Sequence, residues 1–230
     1  MRRRLLLGLL VLFAVTALWQ AVTWPQVAKL ASEDPDSTAF IERYRRSSDA
    51  EDRPLAWRPV PYGAISPHLK RAVLVAEDIE FFSHNGFATG EIRAALGQAW
   101  REKRPPRGAS TLSQQLVKNL WLSPSRNPLR KLKEAALTVQ LERHLGKRRI
   151  LELYLNVAEM GPGLYGAEAA SRHYFGTSAS ALSEHQAAQL AATLSRPSSW
   201  NPSRNSSGYT RRVALISRRM AKAKFLWRQI

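Results

Sequence analysis

The stretch Gly108-Ala109-Ser110-Thr111-Leu112-Ser113-Gln114-Gln115-Leu116-Val117-Lys118-Asn119 decides how this chain is read. Ser110 and Thr111 are residue types that accept hydrogen bonds from the free N–H groups of a helix start, and Thr111 with Gln114 matches a capping box. A helix is therefore expected over 111–120. On it Leu112, Leu116 and Leu120 form a stripe that docks on a core, while Thr111, Gln115 and Lys118 share a neighbouring face at i, i+4 and i+7. That face offers a hydroxyl, an amide and an ammonium beside a helix N-terminus, where unpaired N–H groups attract anions. Spacing alone leaves two accounts open: a capped, solvated surface helix, or a site for phosphate or pyrophosphate.

Outward from this stretch the pattern stays helical. Upstream, Pro67–Val75 leads into Ala76-Glu77-Asp78-Ile79-Glu80-Phe81-Phe82, and a second helix fits Thr89–Trp100. The segment Arg101-Glu102-Lys103-Arg104-Pro105-Pro106-Arg107 reads as a mobile loop, because two prolines and four cations oppose compact packing. Downstream, Asn127-Pro128 reads as the cap and first residue of a helix ending near Gly146. Further helices are expected over Lys147–Glu159, Gly166–Tyr174, Glu184–Leu194 (opened by a Ser183/Gln186 capping box) and Tyr209–Leu226. No alternating strand pattern of useful length appears, so the expected fold is mostly α.

Composition narrows the partners. The 230 residues carry 35 Lys and Arg against 18 Asp and Glu, a formal net charge of +17. From His185 to the C-terminus there are nine Lys or Arg and no acid. Such a field favours nucleic acid, anionic lipid or a phosphorylated substrate. The absence of cysteine excludes disulfides, zinc–thiolate sites and cysteine nucleophiles. The remaining histidines, His68, His144, His173 and His185, show no metal-ligand spacing, and no organic cofactor is expected. At the N-terminus Arg2-Arg3-Arg4 precedes the uncharged, mostly apolar run Leu5–Val22. At ~1.5 Å per residue, its ~18 residues span roughly 27 Å, close to the hydrocarbon thickness of a bilayer. Trp19 and Trp24 sit where an interfacial aromatic belt would lie, and the arginines predict a cytoplasmic N-terminus. A cleaved signal peptide is the alternative, but the run is long for one and no small-x-small cleavage site follows it. The expected organisation is a cytoplasmic tip and transmembrane anchor over 1–25, a linker over 26–54 and a folded domain over 55–230. This topology argues against nucleic acid as the partner.

Carboxylates among apolar neighbours stand out in so basic a chain. Glu77-Asp78 lie between Ala72-Val73-Leu74-Val75-Ala76 and Phe81-Phe82, a setting that partly desolvates a carboxyl and suits acid–base work; an ordinary acid pair is the alternative. Glu134 lies one turn after Arg130. This is either an ordinary i,i+4 ion pair or a carboxylate held by cations at the edge of an anion site.

These residues carry a resemblance. Glu77-Asp78-x-x-Phe81-x-x-His84-x-Gly86 resembles the first signature of the peptidoglycan glycosyltransferases of family 51. Gly108-x-Ser110-Thr111-x-x-Gln114-Gln115-x-x-Lys118-Asn119 resembles the second, Arg130-Lys131-x-x-Glu134 the third, and Lys147-x-x-Ile150-Leu151-Glu152-x-Tyr154-Leu155-Asn156 the fourth. Gly166–Phe175 continues the pattern, and the resemblance covers roughly residues 55–200. It implies a lysozyme-like, two-lobed α-helical domain with a head and a membrane-facing jaw. It also implies polymerisation of lipid II into glycan strands by β-1,4 transfer with inversion, releasing undecaprenyl pyrophosphate. Glu77 matches the general base. Glu134 matches the second glutamate, which assists the leaving pyrophosphate and is a candidate ligand for Mg2+ or Mn2+. Substrate contacts are implied for Asp78, Phe81, His84, Ser110, Thr111, Gln114, Gln115, Lys118, Asn119, Ser123, Arg126, Arg130 and Lys131. Among these, His84 reads better as a buried, hydrogen-bonded histidine than as an acid, and Phe81 and Gly86 as shaping the turn after Glu77. Glu152, Tyr154 and Asn156 read as braces of the head. Phe87, Leu96 and Trp100 read as core before lipid-facing.

The implied location is the bacterial inner membrane, single-pass, with the domain in the periplasm. The implied partners are lipid II, the growing glycan chain, the membrane, and transpeptidases or division proteins. Ala88 stands where the family commonly has Asp, which predicts altered loop packing, and Ser113 replaces a Thr. Two rivals share the features: a lysozyme-like enzyme that cleaves glycan, and a non-catalytic membrane-anchored scaffold.

Overall fold

The computed structural model describes residues 22–88, 110–125, 127–204 and 206–230, with isolated positions at 7, 8, 14, 15, 20 and 90. The expected helix Thr89–Trp100, the loop 101–107, Arg126 and most of the Leu5–Val22 run lie outside the described residues. Among the described residues no helix is long and apolar enough to cross a membrane.

Nine α-helices are described: α1 Ala39–Arg45, α2 Asp49–Asp52, α3 Pro67–Glu77, α4 Leu112–Trp121, α5 Pro128–His144, α6 Lys147–Val157, α7 Ala167–Phe175, α8 Glu184–Thr193 and α9 Ser207–Lys222. The central one is α3. Ser66 caps it by accepting from His68 N, and Pro67 supplies the preset first residue. Every residue from Leu69 to Val75 is buried, including Lys70 and Arg71. A helix buried all round belongs inside the domain, and α3 is packed by α8 and α9. Separately, α4 packs against α5 and α6. Continuous burial brings the C-terminal end of α3, and with it Glu77, to the start of α4.

The capping signals hold. Thr111 and Gln114 cap α4 reciprocally, Asn127 caps α5 with Pro128 first, and Ser183 and Gln186 cap α8. Helix ends differ by a residue or two, except at the C-terminus. There α9 stops at Lys222 and a short 3-10 turn, Lys224–Arg228, follows.

Two readings need correction. A three-stranded sheet is present, in the order β1–β3–β2, from β1 Ala56–Trp57, β2 Glu159–Gly161 and β3 Leu164–Tyr165. Strands of two or three residues are too short to show alternation, so sequence periodicity misses them. The stretch read as a linker is folded onto the domain. Val27 and Leu30 enter the main core, and Ile41 and Tyr44 form a second cluster with Tyr165. Arg149 fastens it by donating to Leu30 O and Glu33 O and pairing with Asp34. Its polar composition reflects the exposed side only.

Gly166 sets the join between β3 and α7. Its φ is +80°, and a Cβ there would lie 2.5 Å from the backbone oxygen of Asn156. Both the left-handed backbone and the close approach require glycine. Gly166→Ala is expected to lower unfolding free energy by about 3 kcal/mol, read from urea denaturation; a loss below about 1 kcal/mol contradicts this account.

Candidate active site

Glu77 is the last residue of α3, and its side chain is 15% exposed. Its Oε2 accepts from Gln115 Nε2 at 3.2 Å, and its Oε1 faces Arg212 Nη2 at 3.4 Å. Gln115 stands one turn into α4, half-buried, and Tyr154 of α6 donates its hydroxyl to Gln115 Oε1 at 3.0 Å. Three helices therefore converge on one carboxylate.

Asp78, next along the chain, turns the other way. It is 4% exposed, accepts from the backbone N–H of Leu112 at 2.9 Å, and holds His84 Nε2 at 3.0 Å. His84 Nδ1 in turn accepts from Gly86 N, which leaves Nε2 as the ring nitrogen that donates to Asp78. Thr111 donates its hydroxyl to Gly86 O at 2.7 Å. Gly86 has φ +88°, which brings its turn against α4. Asp78, His84 and Thr111 thus tie the end of α3 to the start of α4, and this fixes where Glu77 points.

Several residues expected at the substrate are inside the protein. Phe81 is fully buried, packed against Phe82 with Lys147 4.5 Å from its ring centroid. Thr111 and Gln114 are buried in the capping box, and Asn119 is buried on α4. The expected exposed line through Thr111 is therefore shorter: the N-cap position points into the Gly86 turn, and only Gln115 and Lys118 of that face reach the site. Ser110 is exposed and its carbonyl accepts from Gln115 Nε2 at 3.3 Å. Ser123 is exposed and donates to Ser125. Ala88 is buried, and Phe87 is half-buried.

On α5, Glu134 is 3% exposed and binds two cations: Arg130 donates to Oε2 at 2.8 Å, and Lys131 contacts Oε1. Arg130 also donates through Nε to Ser125 O. The Arg130–Glu134 pair is i,i+4 and lies near Lys118. Burial pushes the Lys118 ammonium below the usual lysine range; Glu134 and Glu77 pull it up, and Arg130 and Lys131 push it down. Lys118 thus feels both glutamates. Among the described residues its Nζ makes no hydrogen bond, and its nearest ring is Phe40 of α1, with the centroid at 5.7 Å.

Each oxygen of Glu134 is taken by a cationic side chain, and no group of three His, Asp or Glu among the described residues is placed to hold a metal.

Sequence reasoning missed two site features. Arg212 of α9 reaches Glu77 across 135 residues, yet in sequence it is one arginine of a basic tail. Glu142 is half-buried between Ser113 and Lys147, and a Cβ on Gly86 would meet it at 3.0 Å. It supports the same turn.

A half-buried carboxylate and a group of cations thus come together on a helical scaffold. The sequence matches the family described as Transglycosylase over residues 46–221. A protein of Azoarcus sp. (strain BH72) named biosynthetic peptidoglycan transglycosylase is 50% identical over 195 residues, covering 83% of this chain and 83% of the relative. One of the same name from Methylobacillus flagellatus is 44% identical over 220 residues, covering 94% of this chain and 96% of the relative. Another, from Alcanivorax borkumensis, is 49% identical over 196 residues, covering 85% and 78%. The chain belongs to the transglycosylase family and is a glycosyl-transferring enzyme.

Proposed function

We propose that this enzyme polymerises lipid II into the glycan strands of peptidoglycan, releasing undecaprenyl pyrophosphate. The observation that carries the reading is the pairing of Glu77, half-buried and held by Gln115 and Arg212, with Lys118, Arg130 and Lys131 beside it on α4 and α5. A base and a cationic leaving-group site are the two things the reaction needs. Glu77 takes the proton from the acceptor's 4-hydroxyl as that oxygen bonds to the donor's anomeric carbon. The bond from that carbon to the pyrophosphate breaks in the same displacement, so an α-linked donor becomes a β-linked product. Lys118 meets the charge that develops on the departing pyrophosphate, and Glu134 keeps Arg130 and Lys131 aligned beside it. No metal step is needed, because side chains supply the positive charge.

A lipid-tailed substrate requires the site to lie at a bilayer. The single-pass inner-membrane reading is supported by α5. Leu129 and Leu132 are 70% and 68% exposed there, and Val139 continues their stripe. The neighbouring line of α5 holds Gln20 and Trp24, with Lys133 donating to Gln20 and Gln140 accepting from Trp24. An exposed apolar stripe next to the point where the Leu5–Val22 run ends fits a face lying on lipid. Transpeptidases and division proteins remain the proposed protein partners.

The test is incubation of the full chain with lipid II in detergent or vesicles, with and without Mg2+. Long glycan with stoichiometric polyprenyl pyrophosphate is expected in both. Release of soluble fragments from finished cell wall, with lipid II untouched, would establish the glycan-cleaving rival instead.

A further inference from the structure

We propose that Tyr154 and Arg212 are positioning residues for Glu77, Tyr154 acting through the Gln115 amide on one carboxylate oxygen and Arg212 acting on the other. This rests on the reading of Glu77 as the general base.

The argument starts from the amide. A glutamine side chain can be turned over with little change in shape, so what surrounds it must choose its orientation. Gln115 Nε2 lies 3.3 Å from the carbonyl oxygen of Ser110, a group that only accepts, and 3.2 Å from Glu77 Oε2. Turned over, the amide oxygen would face two acceptors. The other end of the amide meets the Tyr154 hydroxyl at 3.0 Å, which donates to Oε1 and holds the amide in that orientation. Tyr154 is 2% exposed, and burial holds its phenol far above the usual range, with Glu77 and Asp78 adding to the effect. It therefore stays a donor through any working pH. A rigid core residue on α6 thereby directs an N–H on α4 at a carboxylate on α3.

Arg212 fixes the second oxygen from outside. Its Nη2 donates to the carbonyl of Ala76 at 2.8 Å and reaches Glu77 Oε1 at 3.4 Å. The backbone contact is the shorter one, so the guanidinium keeps its place when Glu77 gains a proton. The longer contact leaves Oε1 as the oxygen with room to receive it. The charged or titratable groups facing Glu77 are then Lys118 from α4, Tyr154 from α6 and Arg212 from α9, while Asp78 beside it in the chain points away to His84. Removing either positioning group weakens the carboxylate form, so protonation occurs at higher pH and the acidic limb of the rate profile moves up.

The experiment measures initial rates of lipid II polymerisation against pH for Tyr154→Phe, Arg212→Ala and Arg212→Lys, with Glu77→Gln as control. Tyr154→Phe is expected to lower kcat by about ten- to a hundred-fold with KM unchanged, and to shift the acidic limb upward. Arg212→Ala is expected to shift the limb in the same direction, and Arg212→Lys to restore it in part. Circular dichroism and thermal midpoints show whether each variant folds, and the Arg212 pair decides the matter if Tyr154→Phe does not. Wild-type kcat and an unmoved limb in the folded variants, with Glu77→Gln inactive, overturn the positioning role alone. Turnover retained by Glu77→Gln would overturn the general-base reading beneath it.

Discussion

Glu77→Gln is expected to reduce kcat for polymerisation by about 10²- to 10⁴-fold, the usual contribution of a positioned base. The exchange keeps the side chain's length and shape. A glutamine amide there keeps one oxygen for Gln115 Nε2 and turns its NH2 toward Arg212, which retains its shorter bond to the Ala76 carbonyl. Glu77 is also partly open to water, which limits the cost of any imperfect pairing. Stability is accordingly expected to stay within about 1 kcal/mol of wild type. KM for lipid II is expected to change little, because the base acts on the hydroxyl only as the bond forms. Single-turnover rates with purified lipid II and a urea titration of the same preparation check both halves. A variant that polymerises within threefold of wild type would remove Glu77 from the mechanism. Glu134→Gln should behave differently, since it releases Arg130 and Lys131 from a buried partner and so affects fold and rate together.

How far the site was legible follows from the range over which each interaction acts. Capping is local, so Thr111 with Gln114, Asn127 with Pro128 and Ser183 with Gln186 could be placed from four-residue windows. The face carrying Gln115 and Lys118 was legible for the same reason. The fate of Thr111 was not: whether an N-cap hydroxyl looks outward depends on the Gly86 turn, which arrives from 25 residues away. Phe81 and Asn119 were assigned to substrate through their place in the signatures, and a signature does not separate groups that touch a ligand from groups that hold its neighbours. Arg212 illustrates the opposite failure. Its partner is 135 residues distant, and the surrounding cations hide it within a bulk charge. The fold of residues 26–54 escaped because polar composition is a poor guide where a few side chains, here Val27, Leu30, Ile41 and Tyr44, do the packing. Helices are periodic over many residues and so were legible; the two- and three-residue strands that join β1, β2 and β3 are not.

Lys118→Met separates function from stability at the second half of the site. Lysine and methionine have similar length, and Lys118 is half-buried on α4. The wild-type ammonium is held below its usual range because burial outweighs the pull of Glu134 and Glu77. In sign, a lysine with a depressed folded value binds fewer protons than the unfolded chain between that value and the ordinary one. Its charge therefore opposes folding at neutral pH, and stability rises as pH climbs through that window. Methionine removes the opposition, so the thermal midpoint of Lys118→Met is expected to equal or exceed wild type at pH 7. Activity is expected to move the other way, with kcat falling about 10²- to 10³-fold, as when one charge-stabilising donor is lost from a preorganised site. Released pyrophosphate and glycan should fall together, since one displacement produces both. Lys118→Arg supplies a pH readout: a guanidinium does not titrate in the accessible range, so an alkaline limb expected for wild type below the ordinary lysine range should be absent from this variant. A midpoint several degrees lower in Lys118→Met, or turnover within threefold of wild type, would show that Lys118 braces α4 against Phe40 and plays no part at the leaving group. The expected pattern, greater stability with lost turnover, is what a buried cation kept for chemistry produces and a structural lysine does not.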